Sequence, residues 1–201
     1  KHNKRFKRDS QRVAFLSCVG FLWLRCYAEA WLWRWLPLNR ALCFREGSVL
    51  KYWGYLTREQ HLKAFNKEFP PLACPKTDKF FSVSRSDITR RIIEENIPVG
   101  ALDASKASIN AICDEYMTVS TEGMAWLLPA VCKYVLQRKP DHETFAEMIP
   151  LYIELGEIGY SFNLSFLNER QKELLYNLLE YLAETYSLDV CDAQIKLENK
   201  T

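Results

Sequence analysis

Histidines, cysteines and clustered carboxylates are the side chains from which proton shuttles, nucleophiles and metal sites are built. The three histidines of this chain are His2, His61 and His142. His2 lies in a basic N-terminal run. His61 reads as facing solvent on a first helix, beside Gln60 and Lys63, and His142 follows a capping Asp141 near a helix N-terminus. A Cys–His hydrolase would pair one of these with Cys74 or Cys132, but no nucleophile-elbow or protease-like context surrounds either cysteine. The seven cysteines, Cys18, Cys26, Cys43, Cys74, Cys113, Cys132 and Cys191, are odd in number and contain no Cys-x-x-Cys. Buried free thiols in a reducing compartment are preferred over a disulfide framework or metal site. Glu94-Glu95, Asp114-Glu115, Glu143, Glu147, Glu154 and Glu157 would form an acidic cluster if their helices pack side by side. Helical di-metal sites need Glu-x-x-His motifs, however, and the sequence holds none. Solvated helix faces and caps account for these acids.

Two apolar elements are better candidates. Trp126-Leu127-Leu128-Pro129-Ala130 sets a proline inside an apolar helix, which frees a backbone carbonyl, bends the axis and can shape a groove. The alternative is core packing against the last helix. Phe80-Phe81 falls on a loop as a candidate hydrophobic anchor for a partner, though a loop that folds its aromatics back onto the core is preferred. The candidate interaction or pocket residues are therefore Phe80, Phe81, Trp126, Pro129 and His142. No catalytic, cofactor-binding or metal-ligating residue is assigned, and no cofactor is expected.

The elements that position these residues read as helices. Few glycines and prolines, seven and eight, disfavour a turn-rich sandwich or barrel, and 48% hydrophobic content supports a real core. Thr57 with Gln60 makes a capping-box pattern. Leu62, Phe65 and Phe69 follow on one face, and Pro70-Pro71 ends the helix. Leu72 to Val83 is expected to be a loop or short extended piece. A second helix runs from near Ser86 to Asn96, burying Ile88, Ile92 and also Ile93. Asp103 caps a third, with Ile109, Ile112, Cys113 and Tyr116 along its stripe. Ser120 or Thr121 opens a fourth through about Gln137, its core being Met124, Leu127, Leu128, Val131, Tyr134 and Val135. Pro129 should kink it or break it in two. Asp141 caps a fifth, carrying Phe145, Met148, Ile149, Tyr152 and Ile153 and interrupted by Pro150. After a connector from Gly156 to Ser165, Asn168 with Gln171 opens the last helix, whose apolar face is Leu174, Leu175, Leu178, Leu179 and Leu182. Beyond Tyr186 the chain is short and polar enough to fray, apart from Val190 and Ile195. No internal repeat of solenoid period is present.

Charge divides the chain. Lys1 to Arg45 holds ten basic residues against Asp9 and Glu29, a net of +8, while the remainder holds 17 basic and 23 acidic, a net of −6. The acidic body is a poor partner for nucleic acid and suits a basic partner better. The first methionine is Met117, so the chain reads as a fragment, a processed form or an upstream-extended frame. Its head has a basic run (Lys1 to Arg8), an apolar stretch (Val13 to Leu24), then Ala28-Glu29-Ala30 and the tryptophans Trp23, Trp31, Trp33 and Trp35. It reads as a secretory signal, as a membrane anchor, or as neither. An anchor needs about 20 apolar residues, and Arg25, Glu29 and Arg34 interrupt this one. The segment without membrane insertion is preferred. The organisation expected is a basic, tryptophan-rich extension over 1–46 and a compact all-α domain over 47–201.

Three pieces carry a resemblance: Phe69-Pro70-Pro71; Thr121-Glu122-Gly123-Met124-Ala125-Trp126-Leu127-Leu128-Pro129-Ala130; and Phe166-Leu167-Asn168-Glu169-Arg170-Gln171 leading into the leucine-rich helix. Their order resembles a family of small bacterial helical proteins catalogued only as a domain of unknown function. The resemblance covers about 57–186, omits the head, and implies a fold but no activity, cofactor or site residue.

The function expected is therefore non-enzymatic: an interaction domain, in the manner of a bacterial accessory or immunity-type protein, binding a specific and basic protein partner. The first alternative is a small-molecule binder or enzyme with a pocket near Trp126, Pro129 and His142. The second is a membrane-associated protein held by its N-terminal segment. A cytoplasmic location is expected, with secretion or membrane association through residues 1–36 as the alternative.

Overall fold

A computed structural model describes residues 50–51, 53–83, 87–113, 115–138, 145–156 and 161–198. The chain divides into Lys1–Phe44 and Arg45–Thr201. The first unit lies outside the described residues, and with it the head's basic run, apolar stretch, Ala28-Glu29-Ala30 site, tryptophans, His2, Cys18, Cys26 and Cys43. Ser86, Asp114, Asp141, His142, Glu143 and Glu157 lie outside them as well.

The described residues of the second unit form eight α-helices: α1 (Arg58–Glu68), α2 (Thr77–Phe80), α3 (Asp87–Asn96), α4 (Lys106–Ile112), α5 (Thr121–Gln137), α6 (Met148–Glu154), α7 (Glu169–Tyr186) and α8 (Cys191–Glu198). A 3₁₀ turn, Tyr116–Thr118, precedes α5. No described residue belongs to a strand; Phe81 and Val119 form an isolated antiparallel bridge. The domain is all-helical.

The caps explain most helix starts. Thr57 Oγ1 accepts from Gln60 N at 3.3 Å, and Gln60 Oε1 accepts in return from Thr57 N at 2.7 Å. Asn168 and Gln171 repeat this reciprocal pair at α7, at 2.9 and 3.0 Å. Ser120 caps α5 by accepting from Gly123 N at 3.0 Å. At α4 the cap is Ser105, not Asp103: its Oγ accepts from Ser108 N at 3.0 Å. Ser108 Oγ then donates to Asn96 O at 2.7 Å, tying the end of α3 to the start of α4.

At the centre lies α5, of whose 17 residues 13 are buried. A helix apolar on every side needs neighbours on every side, and α1, α2 and α6 pack against it. α7 packs on α1, α3 on α4, and α8 on both α6 and α7. Pro129 does not divide α5, which runs unbroken from Thr121 to Gln137. An interior proline costs about 3 kcal/mol, whereas each fully buried large side chain contributes roughly 1.5–3 kcal/mol. Trp126, Leu127, Leu128, Val131 and Leu136 are all buried, so burial outweighs the missing hydrogen bond. Pro150 does not interrupt α6 either. It sits in the first turn, where its absent N–H has no intrahelical partner to lose.

Several expectations are corrected. Residues 77–80 of the supposed loop are the short helix α2, and Phe80 and Phe81 are buried. On α3 it is Ile93 that is buried, with Ile97 just past the helix end, while Ile88 and Ile92 are 68% and 47% exposed. Periodicity shows that an apolar stripe exists but not which edge of it finds a neighbour. The tail does not fray after Tyr186. Val190, Ala193 and Leu197 recur at helical spacing and are buried, which docks α8. An eight-residue helix is unstable alone, so this one depends on that contact. The chain just ahead of α1 packs on the same core. Leu50 is buried, and Asn177 of α7 accepts from Trp53 N at 2.7 Å and donates to Lys51 O at 3.0 Å. The Arg170 guanidinium lies 4.0 Å from the Trp53 ring centroid.

His61 does not face solvent. It is 1% exposed, its ring is 5.2 Å from that of Tyr181, and its Nδ1 has no hydrogen-bond partner. Burial depresses its pKa to about 4. The unfolded chain therefore takes up a proton near pH 6.5 that the folded one refuses until about pH 4, and stability present above pH 6.5 is lost as pH falls through that window. Unfolding free energy should fall by very roughly 2–3 kcal/mol across it. In His61→Phe the slope between pH 6.5 and 5, above most carboxylate titration, should largely vanish in urea titrations.

Gly123 faces a tighter constraint. A Cβ there would stand 2.4 Å from Phe80 O and 2.9 Å from Val119 Cγ1. Alanine favours a helix by about 1 kcal/mol, but the backbone clash should prevail, and Gly123→Ala should destabilise by about 1–3 kcal/mol in denaturant unfolding.

Candidate functional site

A groove of about 220 Å³ opens against one side of α5. Its floor is α5 itself, through Ala125, Trp126, Pro129, Ala130 and Lys133. The Pro70-Pro71-Leu72 segment after α1, Leu102 before α4, and Phe166 ahead of α7 form the walls. Sequence accounts for the space. Two prolines end α1 and hold the following chain extended, while Ala125 and Ala130 leave α5 without bulk beside Trp126. Leu72 and Leu102 are about half exposed at the rim.

Trp126 is held by two contacts. Its Nε1 donates to Ala101 O at 2.7 Å, and its ring meets Phe80 edge-on at 5.9 Å. Ala101 is fixed in turn, since Cys74 N donates to Ala101 O at 2.8 Å and Gly100 N to Cys74 O at 3.0 Å. Gly100 takes φ +85°, a conformation that disfavours other residues. Pro129 leaves the Ala125 carbonyl without its i+4 helical donor at the groove.

Lys133, one turn beyond Pro129, supplies the charge. It is 6% exposed, and its Nζ donates to Phe69 O at 3.0 Å. Gln171 also lines the groove, but both ends of its amide are engaged: Nε2 donates to Glu68 O at 2.8 Å and Oε1 accepts from Asn168 N.

Of the five candidates read from sequence, the structure brings Trp126 and Pro129 together in the groove. Phe80 and Phe81 are not among its lining residues. They lie in the core, their rings 4.9 Å apart, with Phe80 supporting Trp126. The preferred folded-back arrangement is the one observed, on a short helix and its end, and the open anchor is not. His142 lies outside the described residues. Sequence reasoning missed Lys133, although a signal was present: it is the one charged residue between Glu122 and Arg138 in an otherwise apolar helix.

The Cys–His arrangement has no activated thiol at the residues considered. Burial pushes the Cys74 thiol up to about 11 and the Cys132 thiol higher still. Cys74, Cys113 and Cys132 are free thiols. The Tyr152 hydroxyl is buried without a hydrogen-bond partner, and burial raises its pKa. Where α6 meets α8, the Glu154 carboxyl is raised from its ordinary value, by burial first and then by the charges of Asp192 and Asp189. Among the described residues no group of three or more His, Cys, Asp or Glu is placed to hold a metal ion. No helix among them is long and apolar enough to cross a membrane.

Searches against family models, curated proteins and solved structures found no match to this chain.

Proposed function

We propose that this domain acts by binding, and that its ligand is a small, largely apolar molecule held in the α5 groove. The observation that supports this reading is the groove itself, a concave apolar space at Trp126 and Pro129 with one buried charged side chain at its edge. Ligand sites characteristically combine apolar walls with a few placed polar groups. A dry cavity of about 150 Å³ accepts benzene, so about 220 Å³ suits a molecule of roughly nine or ten non-hydrogen atoms. Ala125 lines this space and is partly exposed, so its enlargement should fill the groove from within. Ala125→Phe should lower the affinity of small apolar probes by about tenfold or more, with little change in melting temperature. Ligand-observed NMR on the intact chain reads this. Probes that bind the variant as well as the wild type, or neither at millimolar concentration, would reject the groove as the site.

The net charge of −6 after Arg45 supports a second reading, a non-enzymatic interaction domain for a basic protein partner. Such a complex should weaken steeply between about 50 and 300 mM salt as the charges are screened. Affinity unchanged across that range, followed by calorimetry, would remove the electrostatic basis of the idea.

A further inference from the structure

Lys133 is the least expected group in the groove. An ammonium withdrawn from water is costly unless it is paired and hydrogen-bonded. Lys133 carries three N–H donors, of which the Phe69 carbonyl takes one. That carbonyl is neutral and leaves the charge uncompensated. No ion pair joins Lys133 to a carboxylate among the described residues. The acid closest in sequence to its acceptor, Glu68, instead faces Lys67 at 3.8 Å and Arg170 at 3.9 Å. Gln171, the other polar side chain of the lining, is committed at both ends. The groove therefore presents one buried positive charge with donors to spare, beside walls of Pro70, Leu72, Leu102, Trp126 and Pro129.

We propose that the groove is selective for a small apolar monocarboxylic acid, whose carboxylate pairs with Lys133 while its hydrocarbon or aromatic body lies against Trp126 and Pro129. This rests on the reading of the groove as a binding site, and adds what the site selects. A single cation balances a single negative charge, so a monocarboxylate fits where a dicarboxylate or phosphate dianion would carry uncompensated charge among apolar walls. The limited space favours a free small acid over the end of a polypeptide.

The test uses the full chain and two probes of equal size, phenylacetate and its uncharged isostere phenylacetamide, titrated by calorimetry or NMR at neutral pH. Phenylacetate should bind at least about tenfold more tightly, the contribution of a charge-assisted hydrogen bond. Lys133→Met, which keeps the stem and removes the charge, should abolish that preference by weakening phenylacetate at least about tenfold more than phenylacetamide. If the amide binds as well as the acid, and Ala125→Phe weakens both, the carboxylate inference fails while the groove reading stands. If neither probe binds, both fail. An acid preference that survives in Lys133→Met also overturns the proposal. Should that variant not fold, the acid-to-amide ratio in the wild type still decides, and Lys133→Arg should retain it.

Discussion

The structure depends on keeping one helix dry. α5 buries 13 of its 17 residues, and a helix so largely apolar stays folded in water only while its neighbours remain packed against it. Each surrounding element answers to that requirement. α1 and α2 lie directly against α5, as does α6. α8 in turn holds the outer side of α6 and α7, which is why a tail short enough to melt alone is ordered here. The same constraint makes Pro129 tolerable, since the burial around it exceeds the cost of one lost backbone hydrogen bond.

Polar groups inside such a domain must find partners, and most do so by linking elements distant in sequence. Asn177 holds the chain at Lys51 and Trp53 to α7. Ser108 joins α4 to the end of α3, and the Trp126 indole joins α5 to Ala101. Each bond adds only about 1 kcal/mol net, but a buried donor left unmade would cost more, so these contacts specify the arrangement more than they stabilise it. His61, Tyr152 and Lys133 stand apart. The first two each have a buried polar atom without a partner, and Lys133 has a neutral partner for a full charge. Of the three, Lys133 is the one that lines the α5 groove.

The groove is built from few residues. Its shape comes from prolines that hold backbone in place and from alanines that leave room. Its polarity comes from one lysine on a helix turn. Phe80, set beneath Trp126, gives the indole a firm backing, so the wall of the groove is positioned by the core and not by a mobile loop.

Local signals determined much of this by themselves. The capping pairs Thr57–Gln60 and Asn168–Gln171, the stop at Pro70-Pro71 and the apolar run of α5 were legible because hydrogen bonds between near neighbours and apolar spacing are properties of adjacent residues. So was the distinctiveness of Trp126 and Pro129. Which face of α3 turns inward, whether His61 meets water, whether residues 191–198 hold a helix, and that Phe80 and Phe81 point into the core were decided only by tertiary packing. Those outcomes depend on partners far along the chain, and periodicity marks an apolar stripe without saying what will cover it. Lys133 belongs to both accounts: its isolation in α5 is written in the sequence, but only the fold sets it beside Pro70, Leu72 and Leu102, where a buried charge can become a binding site.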